Sequence, residues 1–299
     1  MTRRKSVTTM LVGAIALIAL AGCGLKSTPV TSSPSQKASR AKPVAIIPTP
    51  ANTLDASYPE PNGTMWVVAG SAGSHGIYQV NLSHKKLGGS VSVSNNANTI
   101  AESSTGILGM GISTAASGAV QFLNGSSGAP LKTVPVDGPV TALATGSDGI
   151  TFYALNGTAK AKNVAIINAQ TDKVDATIAA PSDAVSVVPA PNQQSVYVLE
   201  PNGVVSQITT AGGHISTQFP IGNSGIDLAI DPNGNTLYVL KGQGITRNVA
   251  VVNLAKEAVT EVLPAPANTQ AIALSPNGQV LYDIVGTAGV GNIQEYSLR

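Results

Sequence analysis

The chain has few of the residues that carry most protein chemistry. It contains one cysteine and three histidines. A single cysteine excludes an intramolecular disulfide and a cysteine-based metal centre, and a histidine metal site needs several converging ligands. Charged residues make up 11% of the chain, against about 25% in typical globular proteins. Recognition therefore cannot depend mainly on charge.

Neither sign of charge dominates the chain. Once Arg3, Arg4 and Lys5 at its start are set aside, 14 basic side chains stand against 15 acidic ones. Nucleic-acid binding would need a basic face, so we exclude it. Because few carboxylates have to be protonated in acid, we also predict that the fold tolerates acidic surroundings.

A long hydrophobic run is also absent. The apolar stretch from Val7 to Ala21 follows a basic start and is shorter than the roughly 20 residues of a spanning helix, which is typical of a secretory signal. Its end, Leu20-Ala21-Gly22-Cys23, resembles the lipobox of bacterial lipoproteins. That resemblance implies a signal peptide over residues 1–22 and lipidation of Cys23, with diacylglycerol and palmitate-type acyl chains.

The residues after Cys23 predict a tether. Residues 24–43 are rich in Ser, Thr, Pro and Lys and cannot bury enough apolar surface to fold. A flexible segment of this length spans roughly 25 Å. We therefore assign residues 23–43 to a lipidated, disordered tether and residues 44–299 to one folded domain on the extracytoplasmic side of the cell membrane.

No stretch of the domain keeps a helical period, but the domain repeats itself. Turn residues followed by an apolar, aromatic-containing run recur at 61–68, 147–155, 191–199, 232–240 and 276–284. The equivalent tyrosines, Tyr153, Tyr197, Tyr238 and Tyr282, lie 44, 41 and 44 residues apart. A period in the forties built from short strands and turns is typical of propeller blades.

Each repeat contains four short apolar segments separated by Gly, Asn and Pro turns, which predicts four-stranded antiparallel blades. The segments are apolar at successive positions, as in Asn248–Asn253, and this favours strands that are buried on both faces. Outer strands near residues 44, 90, 132, 174, 215 and 259 give an all-β propeller of six blades. A seventh blade would need residues that the chain does not have.

The repeats resemble YVTN-type β-propeller repeats. Val196-Tyr197-Val198 and Leu237-Tyr238-Val239 match the centre of that repeat, and Phe219-Pro220-Ile221-Gly222 matches its end. The resemblance covers most of residues 44–299 and implies a fold, but it implies no activity.

The two ends of the domain share nearly the same hexapeptide, PTPANT at 48–53 and PAPANT at 264–269. Both copies read as an outer strand that leads into the next blade. The end of the chain supplies only three strands of the last blade. We therefore predict that residues 43–47 supply its fourth strand, pair with residues 292–297 and close the ring.

Long loops at one mouth of the channel present basic residues, and the connections between blades add acidic and amide groups. These side chains could hold an anionic group or the carboxylates of a partner. The candidate ligand-binding residues are Lys160, Lys162, Asp183, Asn223, Asp227, Lys241 and Arg247.

We find no catalytic signature, no metal site and no cofactor motif in the sequence. The favoured function is a monomeric, lipid-anchored, non-catalytic binding module for a protein, glycan or cell-wall partner. One alternative is a metal-dependent, lactonase-like hydrolase that uses Asp183 and Asp227, and another is a structural component of a surface layer.

Overall fold

The computed structural model describes residues 42–298, apart from residues 72, 73, 95 and 223. This part of the chain forms 24 strands joined by turns, and it contains no helix long and apolar enough to cross a membrane. The signal peptide, Cys23 and nearly all of the tether lie outside the described residues.

The strands form six four-stranded antiparallel sheets, which are the blades of a six-bladed β-propeller. Blade 1 contains β2 (Thr53–Ala56), β3 (Thr64–Ser71), β4 (Ser74–Asn81) and β5 (Lys86–Val93). Blade 2 contains β6 (Ala97–Glu102), β7 (Ile107–Ser113), β8 (Gly118–Asn124) and β9 (Pro130–Val136). Blade 3 contains β10 (Val140–Thr145), β11 (Thr151–Thr158), β12 (Ala161–Asn168) and β13 (Lys173–Ala180).

Blade 4 contains β14 (Ser186–Pro189), β15 (Ser195–Leu199), β16 (Val204–Thr209) and β17 (Ile215–Pro220). Blade 5 contains β18 (Gly225–Ile230), β19 (Thr236–Lys241), β20 (Arg247–Asn253) and β21 (Ala258–Ala265). Blade 6 contains β22 (Thr269–Leu274), β23 (Val280–Thr287) and β24 (Val290–Ser297), and its outer strand is β1 (Ala45–Pro48). The predicted count of six is confirmed.

Strand β1 closes the ring as the sequence predicts. It pairs antiparallel with β24, with Ala45 opposite Glu295 and Pro48 opposite Asn292. The pairing continues past the strand, because the Thr49 amide donates to the Gly291 carbonyl at 2.9 Å. The last blade is thus assembled from both ends of the domain.

The core consists of six apolar clusters, and each lies between two neighbouring blades. Between blades 2 and 3, for example, Phe122 and Phe152 meet edge to face with ring centroids 4.9 Å apart. Because every blade packs against a neighbour on both faces, the middle strands are apolar at successive positions. Leu237, Tyr238, Val239 and Leu240 are all buried for this reason.

The tight turns after the inner strands of blades 1, 5 and 6 use Pro-Asn-Gly sequences. The Asn62 side-chain oxygen accepts from the Thr64 amide at 2.9 Å, and Gly63 has a φ of +79°, which a side chain would strain. The turn of blade 1 starts one residue late. Glu60 opens it five residues after Asp55, whereas Asp231 opens the equivalent turn four residues after Asp227. This extra residue accompanies the entry of Tyr58 into the central channel.

Candidate functional site: two chambers in the central channel

Tyr58 divides the central channel into two chambers and lines both of them. The upper chamber, about 130 Å³, lies among the first residues of the six inner strands, such as Asp55, Thr99 and Asp227. The lower chamber, about 280 Å³, lies among the last residues of the same strands and the turns that follow. We call the corresponding ends of the channel the upper and lower mouths.

The upper chamber is encircled by one equivalent residue from each inner strand. Their pairing with the second strand of each blade defines the ring: Asp55, Thr99, Ala142, Ser186, Asp227 and Ala271. An inner strand has one free edge facing the channel, so alternate amides of that edge need a partner from elsewhere. The polar residues of the ring supply this hydrogen-bond partner.

Asp55 caps amides of two blades. Its Oδ1 accepts from the Ala56 amide at 2.8 Å, and its Oδ2 accepts from the Ile100 amide at 3.0 Å and the Thr99 hydroxyl at 2.6 Å. Burial, and then the negative charge of Asp227, raise the pKa of Asp55 to about 7. This carboxyl therefore changes charge near neutral pH while it joins blade 1 to blade 2.

Asp227 likewise accepts hydrogen bonds from neighbouring blades, and it joins blade 5 to blades 4 and 6. Its Oδ1 accepts from the Ser186 hydroxyl at 2.8 Å, and its Oδ2 accepts from the Ile272 amide at 2.9 Å. Burial raises the pKa of Asp227 to about 6, although the hydrogen bonds from Ile272 and Ser186 oppose the rise. The sequence predicts Asp227 in a connection between blades, but this residue lies in strand β18, inside the channel.

Two polar atoms beside the upper chamber lack a hydrogen-bond partner among the described residues. They are the Oδ1 of Asn98, whose Nδ2 donates to the Val140 carbonyl at 2.8 Å, and the hydroxyl oxygen of Tyr58. The main chain of Ile230 is near that hydroxyl but not in hydrogen-bond geometry. Burial and the charge of Asp227 raise the pKa of Tyr58.

Three of the predicted basic residues lie at the upper mouth and contact main-chain carbonyls. Lys162 donates to the Ala184 carbonyl at 2.5 Å and Lys241 to the Ile221 carbonyl at 2.7 Å, while the Nε of Arg247 donates to the Thr269 carbonyl at 3.3 Å. Lys162 and Arg247 occupy equivalent positions at the start of a third strand and reach into the following blade. Burial lowers the pKa of both lysines.

The other predicted residues are more exposed or lie outside the described residues. Lys160 is in the exposed turn between β11 and β12, and Asp183 is exposed in the connection from blade 3 to blade 4. Asn223 is among the residues that are not described. The structure thus places Lys162, Lys241 and Arg247 on the upper side at three successive boundaries between blades, and their role in binding an anion stays a prediction.

The lower chamber has apolar walls made largely of proline. The ends of the inner strands and the turns that follow contribute these prolines in four blades: Pro59, Pro61, Pro189, Pro191, Pro232 and Pro276. Proline has a fixed φ and no amide, so such a wall is stiff and contributes few hydrogen-bond donors. The cavity is therefore formed before any ligand arrives.

Two glutamates face this apolar cavity. Glu102 is 5% exposed; its Oε2 lies 3.5 Å from the Ser57 hydroxyl, which is the limit of a hydrogen bond, and its Oε1 packs against Gly125. Burial, and then the negative charge of Glu60, raise the pKa of Glu102 to about 8. Burial also raises the pKa of Glu60.

The histidines lie apart from both chambers. His75 is in strand β4, where its Nδ1 lies 2.6 Å from the Ala97 carbonyl. Among the described residues, no three His, Cys, Asp or Glu side chains are close enough to hold a metal ion together. What the channel offers instead is two pairs of carboxyl groups in different surroundings.

Sequence reasoning missed Tyr58, Asp55, Glu60 and Glu102 as channel residues. One signal was present, because the repeat containing Tyr58 has an extra residue before its Pro-Asn-Gly turn. Glu102 had no such signal, since it belongs to the repeat that matches the others least.

No family model and no curated protein matches this chain in sequence. Its fold is similar to a solved chain of hydrazine synthase from Kuenenia stuttgartiensis, with a TM-score of 0.60. The match covers 84% of this chain and 97% of that chain at 14% sequence identity. At this identity the likeness shows the propeller fold alone.

Proposed function

We propose that this chain is a lipid-anchored, extracytoplasmic, non-catalytic binding module that recognises an anionic group of a protein, glycan or cell-wall partner. The site is the upper rim, defined as Lys162, Lys241 and Arg247. The lipobox-like sequence before Cys23 and the tether support the location, and the contacts of the rim support the binding role.

One observation carries the binding role. Each rim cation is oriented by a main-chain carbonyl, and among the described residues none of the three forms an ion pair within 4 Å. A carbonyl carries no net charge, so it positions the cation without neutralising it. Cations held in this way are pre-organised for carboxylates or phosphates, which form charge-assisted hydrogen bonds with them.

The test is affinity capture from native envelope fractions with the full chain. We expect the triple variant Lys162→Met, Lys241→Met and Arg247→Met to lose the captured partner. Its control, Lys86→Met, Lys173→Met and Lys256→Met, removes the same charge from exposed positions outside the rim and should retain it. Equal capture by both variants, with equal melting temperatures, would overturn the proposed rim.

The anchor has a separate test. We expect mass spectrometry of the membrane-bound protein to find diacylglycerol on Cys23, and Cys23→Ala to move the protein out of the membrane fraction. A variant that stays in the membrane would contradict the anchor without touching the binding role.

The upper chamber favours a second candidate, the metal-dependent hydrolase. Asp55, Asp227 and the unpartnered Oδ1 of Asn98 line one polar cavity, and oxygen atoms are the ligands that hard divalent cations prefer. The four carboxylate oxygens already accept hydrogen bonds, which weighs against it. Tight calorimetric binding of calcium or zinc, abolished by Asp227→Ala, would favour this candidate over the binding module.

A further inference from the structure

The chain contains six Asn-Gly pairs, and such a pair can react with itself. The main-chain nitrogen of the glycine can attack the side-chain carbonyl carbon of the asparagine, because glycine has no side chain to shield it. How readily a pair reacts depends on how its asparagine side chain is held. The six pairs begin at Asn62, Asn124, Asn156, Asn202, Asn233 and Asn277.

Five of these asparagine side chains are already held by hydrogen bonds. In four pairs the Oδ1 accepts from a main-chain amide at 2.9 to 3.1 Å: Asn62, Asn124, Asn202 and Asn277. The fifth, Asn156, is 1% exposed and donates to the Ala154 carbonyl at 3.3 Å. Asn233 differs from all five, because its side chain is exposed and has no hydrogen bond to any described residue.

The turns of blades 5 and 6 form a matched pair in which this difference can be examined. Both read Pro-Asn-Gly, with a φ of +71° at Gly234 and +69° at Gly278. The Gly234 amide donates to the Asp231 carbonyl at 2.9 Å, and the Gly278 amide donates to the Ser275 carbonyl at 2.8 Å. The attacking nitrogen therefore has similar main-chain surroundings in both turns, whereas the asparagine side chains are held differently.

Asp231 explains why Asn233 lacks a hydrogen bond. Its Oδ1 accepts from the Asn235 amide at 2.7 Å, and the equivalent amides in blades 1 and 6 donate to the asparagine two residues earlier. A carboxylate is a stronger acceptor than a neutral amide oxygen, so Asp231 takes this donor. The side chain of Asn233 is therefore free to rotate towards Gly234.

In blade 6 a weaker acceptor opens the turn. The Ser275 hydroxyl accepts from the Gln279 amide at 3.1 Å, and the Oδ1 of Asn277 shares that donor at 3.0 Å. The Ser275 hydroxyl also donates to this Oδ1 at 2.7 Å. Two hydrogen bonds thus fix the side chain of Asn277.

We propose that Asn233 is a site of spontaneous deamidation. The Gly234 nitrogen forms a bond to the Cγ of Asn233 and loses its proton, and the side-chain nitrogen leaves as ammonia. Water then opens the resulting succinimide at either carbonyl, which leaves aspartate or isoaspartate at position 233. The reaction consumes water and needs no other reactant.

The products change the lower end of the molecule. Either product adds a carboxylate to the turn that Asp231 opens, and isoaspartate also adds a carbon atom to the main chain. The turn has little room for a longer main chain, since a side-chain carbon at Gly234 would lie 3.2 Å from Pro191 and one at Gly278 would lie 3.0 Å from Pro232. Isoaspartate therefore disturbs the packing between the turns of blades 4, 5 and 6.

The experiment is peptide mapping by mass spectrometry of the full folded chain during incubation in mildly alkaline buffer. Aspartate and isoaspartate are measured at positions 233 and 277 of the same sample. A hydrogen bond that holds the reacting side chain corresponds to about fivefold in rate, so we expect Asn233 to convert at least about fivefold faster than Asn277. In the chain unfolded by guanidinium, the two sites should convert at similar rates.

Variants test the cause of the difference. Asp231→Ser gives blade 5 the opening residue of blade 6, so it should slow the conversion of Asn233 towards that of Asn277. Its control, Asp175→Asn, removes an exposed carboxylate from the outer strand of blade 3 and should leave the rate unchanged. If Asp231→Ser does not fold, the reverse change Ser275→Asp decides, because it should speed the conversion of Asn277.

Three results would overturn the inference. They are equal conversion of Asn233 and Asn277 in the folded chain, the same ratio of rates in the unfolded chain, and unchanged rates in Asp231→Ser or, in its place, Ser275→Asp. None of them bears on capture at the upper rim. The two proposals can therefore fail separately.

Discussion

The two chambers of the channel each contain a pair of carboxyl groups, but the two pairs have different partners. In the upper chamber, Asp55 and Asp227 accept hydrogen bonds from side chains and amides of neighbouring blades. In the lower chamber, Glu102 accepts one long hydrogen bond, from the Ser57 hydroxyl at 3.5 Å. Burial raises the pKa of all four carboxyl groups, so burial alone does not reveal the role of a pair. The hydrogen-bond partners do: the upper pair joins blades through several close hydrogen bonds, whereas Glu102 has only a long hydrogen bond, to Ser57 beside blade 1.

The largest effect is expected from a change that removes both chambers at once. Deleting residues 44–48 leaves β24 as an unpaired edge and opens the ring between blades 6 and 1. We expect the melting temperature to fall by about 10 °C or more, or cooperative unfolding to be lost, in calorimetry. Deleting residues 30–34 of the tether is the control and should change nothing. An unchanged melting temperature in the first variant would show that β1 does not close the propeller.

A smaller effect on stability is expected, and it should differ between the two chambers. Asp227→Ala leaves the Ile272 amide and the Ser186 hydroxyl without their acceptor, so we expect a loss of about 2 kcal/mol, or roughly 4 to 8 °C. Asp227→Asn should lose less, because its amide oxygen can still accept from Ile272. Glu102→Ala near neutral pH should lose little, since Glu102 has only the long contact to Ser57. Equal losses for the two alanine variants would remove the distinction between the chambers.

The dependence of stability on pH follows from the same carboxyl groups. The pKa values of Asp55, Asp227 and Glu102 are raised to about 7, 6 and 8, above their values in an unfolded chain. The folded protein therefore keeps protons that the unfolded chain releases, and stability falls as pH rises from about 4 to 8. We expect the melting temperature to be higher near pH 5 than near pH 8.

Variants can show which chamber's carboxyl groups cause each part of this dependence of stability on pH. Glu102→Gln should reduce the loss of stability in the upper part of this pH range, and Asp55→Asn should reduce it in the middle part, because a neutral amide does not titrate. A melting temperature that rises between pH 5 and pH 8 in the unmodified chain would contradict the pKa shifts. The expected direction agrees with the acid tolerance that the scarcity of carboxylates predicts.

Most of the architecture could be predicted from the sequence because the repeat carries it. The spacing of Tyr153, Tyr197, Tyr238 and Tyr282 reflects one buried position in successive blades, and the hexapeptides at the two ends reflect the shared last blade. Because such features occur in more than one repeat, an assignment made in one repeat can be compared with the others. The six blades and the closing strand follow from this redundancy.

The channel could not be predicted in the same way, because its side chains break the repeat. The ring position holds Asp, Thr, Ala or Ser in different blades, and the strand-to-turn junction holds Tyr58 in one blade and Glu102 in the next. Each of these residues departs from the repeat in one blade only, so no other repeat indicates it. The predicted rim cations were easier to find, since long loops such as that before Arg247 mark the upper mouth.

The smallest expected effect tests the boundary between the chambers. Tyr58→Phe removes a buried hydroxyl that has no described partner, so the free energy of unfolding should stay the same or rise by less than about 1 kcal/mol. Tyr153→Phe is the matched control, because the Tyr153 hydroxyl lies 3.1 Å from the side-chain amide of Gln193 and its removal should lower stability by about 1 kcal/mol. Urea unfolding of both variants without added ligand gives the comparison. If both variants lose the same stability, the Tyr58 hydroxyl already has a hydrogen-bond partner in the folded protein. If only Tyr153→Phe loses stability, the Tyr58 hydroxyl has no partner in the folded protein and is kept at a cost to the fold.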